Sequence, residues 1–278
     1  MDAKLYDELW NVEQSHWWFQ ARRQIVWSLV RRYLRVAGAE SSMPQDTSTW
    51  GVAKPPPQPP RRLRICELGC GTGGNLAAVA DRHDVIGVER SPHALEYARR
   101  RLGNRVRYGS LPDNVDLPPD SFDVVLLTDV LEHIQDDARS ARTALRLLRP
   151  GGIVVATAPA YQWLYSPRDA AHHHFRRYSK ARFRELWMTP EADVVLLSHY
   201  NTLLFPPAVA VRLATRWSLL RAKPGDLRVP PAPLNNLLAR IMQSEANLLG
   251  RVPLPFGLSI IAVVRKGSSA ANAIRRAA

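Results

Sequence analysis

From Leu63 onward short apolar runs alternate with helical stretches, and this alternation restricts the possible fold more than any other feature of the chain. "RRLRICELG" ends in glycine and leads into the helical "NLAAVADR". The strand "DVIGVER" and helix "PHALEYARRRL" follow, then "RVRYGS", "FDVVLLTDV", a helix through "DDARSARTALRLL" and the strand "GIVVATAP". Strands separated by helices of this length pair in parallel through right-handed crossovers. The expected core is an α/β doubly wound sheet.

The rest of the chain is arranged around that core. Residues 3 to 37 read as helical because Ile25, Leu29, Tyr33 and Leu34 recur at three- and four-residue steps. We expect an N-terminal helical cap over residues 1–39. Residues 40–62 are rich in proline and small polar residues and offer little to bury, so a flexible insertion is expected. The main domain is expected over 63–266, with residues 267–278 a loose tail. After a loop at 160–178 come the helix "SKARFRELW", the strand "DVVLLSHYN" and the final strand "GLSIIAVVRK". Between those two strands the excursion from Thr202 to Val252 exceeds ordinary connection lengths and should carry helices of its own, as a lid.

Composition narrows the class. A hydrophobic fraction of 46% and a charged fraction of 23% are those of a globular protein. No apolar run approaches the roughly 18 residues of a membrane helix, and Asp2, Asp7 and Glu8 break the order of a signal peptide. A cytoplasmic protein is expected. Cys66 and Cys70 lack the further ligands a four-coordinate metal site needs, so they read as buried thiols. The formal charge of +13 raises nucleic acid as a partner. Nearly all the excess is arginine scattered along helices, however, so no stable nucleic-acid partner is expected.

"ICELGCGTGG", residues 65–74, fits two fingerprints. Gly69, Gly71 and Gly74 make the G-x-G-x-x-G of a dinucleotide site, whereas Glu67 with Gly69, Gly71 and Gly73 makes an acidic glycine loop. Glu89, at the end of the second strand, can accept from the ribose of any adenosine cofactor and does not discriminate. Glu67 does: its carboxylate repels a pyrophosphate and suits a ligand carrying ammonium and sulfonium charge.

Together with "VIGVERSPHALEYAR", "FDVVLLTDVLEHIQDD", the "LLRPGG" turn and the terminal "GLSIIAVVRK", this loop resembles the class I S-adenosylmethionine-dependent methyltransferases over nearly all of residues 63–265. The resemblance implies a Rossmann-like seven-stranded sheet of order 3-2-1-4-5-7-6 with the last strand antiparallel. It also implies S-adenosylmethionine as cofactor, with Gly69, Gly71 and Gly73 around its methionine moiety, Glu89 on its ribose and Asp129 near its methionine end. Where many relatives carry an acidic residue by the adenine this chain has Ser110, so Ser110 and the Leu111 amide are the candidates there. "HWWFQARRQIV" and "RDAAHHHFRRYS" are similar to bacterial small-molecule methyltransferases with a helical cap. That similarity implies Trp17, Trp18, Phe19 and Arg22 near the cofactor, Arg22 as a partner for its carboxylate. Alternatively the aromatics only seal the helix to the domain.

On the acceptor side, consecutive His172, His173 and His174 cannot all point one way in a regular structure, and no metal is expected there. His174, in a D-x4-H-x3-Y pattern with Asp169 and Tyr178, is the candidate base, with Asp169 to orient it and Arg177 to hold an anionic acceptor group. His133 reads as architectural. The other acceptor-side candidates are Trp18, Tyr161, Trp163, His172, Tyr200 and Asn201. "TDVLEH" replaces the motif of nucleobase amino methylation, and the lid is apolar. Both points lead to oxygen or carbon of a small, partly apolar natural product, isoprenoid or lipid-like acceptor. A homodimer is also compatible with the lid. The competing readings are an RNA methyltransferase, an NAD-dependent oxidoreductase and a non-catalytic cofactor-binding protein.

Overall fold

The computed structural model describes residues 3–39, 61–216 and 228–267. The expected insertion, apart from its last two residues, and the expected tail, apart from Gly267, lie outside the described residues, as does part of the lid. Two helices come first, α1 (Ala3–Val12) and α2 (Trp17–Ala39). Then follow β1 (Arg64–Leu68), α3 (Gly74–Ala77), β2 (Asp84–Glu89), α4 (Pro92–Leu102), β3 (Val106–Tyr108), β4 (Phe122–Thr128), α5 (Asp137–Leu147) and β5 (Leu148–Pro159). The chain continues through α6 (Pro167–Ala171), α7 (Lys180–Glu185), β6 (Ala192–Tyr200), α8 (Phe205–Arg216), α9 (Ala232–Ser244) and β7 (Ser259–Lys266).

The seven strands form one sheet in the order β3-β2-β1-β4-β5-β7-β6. Strand β7 runs antiparallel to both neighbours, with Ala156 opposite Ala262 and Ser198 opposite Ile261. The expected Rossmann-like sheet is therefore present, with its antiparallel last strand. Strand β4 is buried along its whole length, as a central parallel strand covered on both faces must be. Its side chains alternate accordingly. Val125 and Leu127 join Leu145, Phe183 and Trp187 on one face, and Val124 and Leu126 join Ile25, Leu29, Leu76 and Met242 on the other. Helix α2 is thus a layer of the second core as well as a cap, and α9 packs beside it.

The helical stretch expected over 3–37 is built as two helices. The break is fastened from far along the chain: Asn235 on α9 accepts from the Trp17 N–H and donates to the Ser15 carbonyl, each at 2.9 Å. The helix read in "NLAAVADR" is shorter than expected, because after Ala77 the backbone tightens to i→i−3 bonds such as Val79 N–H to Leu76 C=O at 3.0 Å. Helices α4 and α5 start where capping chemistry puts them, at Ser91 and Asp136, whose side chains accept from the Ala94 and Arg139 amides. The excursion from Thr202 carries α8 and α9. Among the described residues no helix is long and apolar enough to cross a membrane.

Candidate active site

Strand order reverses between β1 and β4, and in open α/β sheets the crevice beyond the carboxyl ends at such a switch point is where ligands bind. A cavity of about 1810 Å³ opens there. Its floor is the β1–α3 loop. The backbone turns left-handed at Gly69, Gly71 and Gly73, with φ of 72°, 55° and 81°. A Cβ at Gly69 would meet Val130 Cγ2 at 2.8 Å, and one at Gly74 would meet the Glu13 carboxylate at 2.5 Å, so both positions are filled by close approach. Asp129, Tyr161 and Asn201, which follow β4, β5 and β6, also hold positive φ (56°, 62° and 58°). Such conformations are sparsely populated for residues with a side chain and cluster at ligand sites.

Glu67 is 1% exposed. Its Oε1 accepts from Asn75 Nδ2 at 2.7 Å and from the Thr128 hydroxyl at 2.8 Å, and its Oε2 is buried with no hydrogen-bond partner among the described residues. Burial pushes the Glu67 carboxyl up from its ordinary value; the two donors and the Arg22 and Arg23 charges oppose this. An unpaired carboxylate oxygen lining a cavity suits a cationic group and no phosphate. Glu89 accepts from the Gly71 amide at 2.9 Å and the Ser91 amide at 2.8 Å, which ties the second strand to the glycine loop. Ser110 and Leu111 line the same cavity.

The N-terminal helices close the loop from above. Glu13 pairs with Arg101 and accepts from the Thr72 hydroxyl, while Leu5, Tyr6 and Leu9 add apolar wall. Arg22 is ion-paired with Asp129 and stacks over the Trp18 ring at 4.4 Å from its centroid. Burial would lower its pKa, but Asp129 raises it, so the guanidinium stays charged. Arg22 lines the cavity while paired with Asp129.

At the other end His174 Nδ1 lies 3.0 Å from Asp169 Oδ1. Asp169 also accepts from Arg177 Nε at 2.8 Å and the Ser166 hydroxyl at 2.8 Å. Burial would raise the Asp169 carboxyl, yet the His174 hydrogen bond and the Arg177 charge hold it below the ordinary carboxylate range. A carboxylate on Nδ1 leaves the Nε2 lone pair of a neutral His174 available. Burial pushes His172 down to about 4 and His133 to about 3, so both rings are neutral.

The cavity brings together Arg22, Glu67, Gly69, Gly71, Glu89, Ser110, Leu111, Asp129, Trp17, Trp18, Phe19, Trp163, Asp169, His172, His174, Arg177 and Asn201. Four sequence candidates stand apart from its lining. Gly73 is behind the loop, against Leu102 and Ala98. Tyr178 is fully buried and donates to Asp137 at 2.9 Å, as an aromatic in the core does. Tyr200 is buried in the opposite core, and Tyr161 stacks on His199 with centroids 5.1 Å apart. Sequence reasoning passed over Glu13 and Glu132. Glu13 carried no signal because its partners are distant in sequence; Glu132 sits in "DVLEH" beside a histidine, which was the available clue.

Residues 66–156 match the methyltransferase domain family. The chain carries a class I S-adenosylmethionine-dependent methyltransferase domain. Outside that span the relatives are partial. Ajmaline N-methyltransferase from Rauvolfia serpentina is 28% identical over 173 residues, covering 59% of this chain and 58% of that protein. A ubiquinone biosynthesis O-methyltransferase from Cereibacter sphaeroides is 32% identical over 107 residues, covering 36% and 43%. The chain thus spans about half the length of the curated relatives it matches. A solved structure of a sarcosine dimethylglycine methyltransferase candidate from Galdieria sulphuraria superposes with a TM-score of 0.50 at 16% identity, over 74% of this chain and 79% of that one, a likeness of fold.

Proposed function

We propose that the protein transfers a methyl group from S-adenosylmethionine to an oxygen or carbon of a small, partly apolar acceptor. One observation carries the reading: a single cavity joins the glycine loop, with the unpaired Glu67 oxygen, to the His174–Asp169 pair. Its volume exceeds the roughly 300–1,000 Å³ of a pocket for one ligand. It has room for cofactor and acceptor together.

When bound, the cofactor supplies an electrophilic methyl on a sulfonium. Glu67 would hold its ammonium, Glu89 its ribose hydroxyls, and Ser110 with the Leu111 amide its adenine. The remaining work is positioning, which holds reacting atoms in line and excludes water. Trp163, Leu204, Pro207 and Val211 give the far wall its apolar character. His174, oriented by Asp169, would take the acceptor proton, and Arg177 is bound to the same carboxylate. The likeness to ajmaline N-methyltransferase favours a nitrogen acceptor as a second reading.

Calorimetry on the full chain tests the proposal. Uptake of S-adenosylmethionine and S-adenosylhomocysteine without uptake of NADH is expected, and the reverse would return the oxidoreductase reading. Acceptors are then screened by mass gain of one methyl; binding without turnover on any acceptor would favour a non-catalytic role. His174→Ala should lower turnover and leave S-adenosylhomocysteine binding intact.

A further inference from the structure

Glu132, His133 and His174 meet at the edge of the cavity, and their ligating atoms all lie within 4.8 Å of one another. Two segments supply them: the single 3-10 turn Leu131–His133 after β4, and the loop after α6. The Phe175 N–H donates to the Glu132 carbonyl at 2.8 Å, pinning one segment to the other. The His133 and His174 rings meet edge to face with centroids 4.6 Å apart.

Glu132 is 0% exposed, and neither carboxylate oxygen has a hydrogen-bond partner among the described residues. Burying a carboxyl group with nothing to satisfy it is costly, and a bound cation is one way of meeting that cost. His174 adds an independent sign. Its Nδ1 is held by Asp169, which Arg177 and Ser166 hold in turn; this carboxylate–imidazole relay fixes the tautomer of metal-bound histidines.

We propose that Glu132, His133 and His174 form a three-ligand site for a divalent first-row transition ion, with an open position facing the cavity. Two imidazoles and one carboxylate suit Zn²⁺, Fe²⁺, Mn²⁺ or Co²⁺ better than Mg²⁺ or Ca²⁺, whose sites are rich in oxygen. Metal–ligand lengths of about 2.0–2.2 Å put the ligand atoms of a tetrahedral site about 3.4 Å apart, so side-chain rotations that draw these atoms together by up to about 1.4 Å are needed to close the site. Only one of the three consecutive histidines takes part, as their divergent directions require.

This inference rests on the methyltransferase reading and deepens it. An acceptor hydroxyl in the open position breaks its O–H bond more readily: the proton passes to solvent and the resulting oxyanion stays on the ion. His174 then serves as ligand instead of base, and the acceptor is one that carries an ionisable hydroxyl. Asp169 is a positioning residue acting through His174.

Chelator-treated full-length protein is titrated with Zn²⁺ by calorimetry, and with Co²⁺ by visible absorption as a reading of its coordination. One equivalent of each ion is expected, with Co²⁺ bands of nitrogen and oxygen ligation. Binding should weaken at least about tenfold in Glu132→Gln and His174→Gln, and about 10- to 100-fold in Asp169→Asn with the melting temperature kept. Absence of stoichiometric Zn²⁺ and Co²⁺ binding by the wild type overturns the proposal, whatever the fate of the variants. So does unchanged binding in both His133→Gln and His174→Gln. S-adenosylhomocysteine is titrated into the same samples: uptake without metal binding removes the metal site and spares the methyltransferase reading, and metal binding without uptake does the opposite.

Discussion

The proposed cofactor contacts at the glycine loop rest on the unpaired oxygen of Glu67 and the left-handed turn at Gly69, and the two fail differently when changed. Glu67→Ala leaves the Thr128 hydroxyl without its acceptor and the Asn75 amide with Thr128 alone, at a cost of about 1–3 kcal/mol in stability. Glu67→Gln keeps an acceptor for those donors but offers no negative charge. We expect it to melt close to wild type and to lose S-adenosylhomocysteine affinity in calorimetry; unchanged affinity would show that the charge is not used. Gly69→Ala meets both a positive φ and Val130, so stability and affinity should fall together in denaturant melts and titrations.

The two N-terminal helices are held at both ends by polar groups from other elements. Glu13, at the end of α1, makes a nearly buried ion pair with Arg101 of α4. Breaking such a pair by removing one partner costs about 3–5 kcal/mol. Glu13→Ala should therefore lower the melting midpoint and, because Leu9 and Tyr6 leave the loop with it, weaken cofactor uptake. His16 titrates in the same hinge. Burial pushes it down to about 4 from an ordinary 6.5, and its Nδ1 accepts from the Trp18 amide, which only a neutral ring can do. The unfolded chain therefore takes up the extra proton. The contribution is complete above pH 6.5 and is lost as pH falls toward 4. His133 and His172 act in the same direction, so His16→Asn should flatten the decline of melting temperature over that window without abolishing it.

Over the whole molecule, many of the basic side chains are tied into local ion pairs, and the surplus of +13 is what remains once every acid has been counted. Arg176 and Arg182 converge on Asp137, Arg61 and Arg149 on Asp123, and Arg177 on Asp169. These arrangements fasten elements together and do not line up as a track for phosphates. RNA binding at physiological salt should be no tighter than the non-specific range of about 10⁻⁴–10⁻⁶ M, as measured by filter binding across a salt series. Tighter binding that falls steeply with salt would revive the RNA methyltransferase reading.

Local pattern was enough to predict the alternation of strands and helices and the turn of the glycine loop, because apolar periodicity and glycine spacing act over a few neighbours; the strand order came with the family resemblance. The His174–Asp169 pair was legible for the same reason: both residues sit in one short segment. Contacts between distant segments carried no such trace. Asn235 splits the first helix from the far end of the chain, Glu13 locks onto Arg101, Asp129 takes Arg22, and Tyr178 and Tyr200 turn into opposite cores. The sequence by itself determined the alternation of strands and helices and that a carboxylate, Glu67, would stand beside the glycine loop. Only the tertiary structure decided which side chains face the cavity and brought Glu132 and His133 beside His174, since burial and pairing across the sheet depend on neighbours that the linear order does not place together.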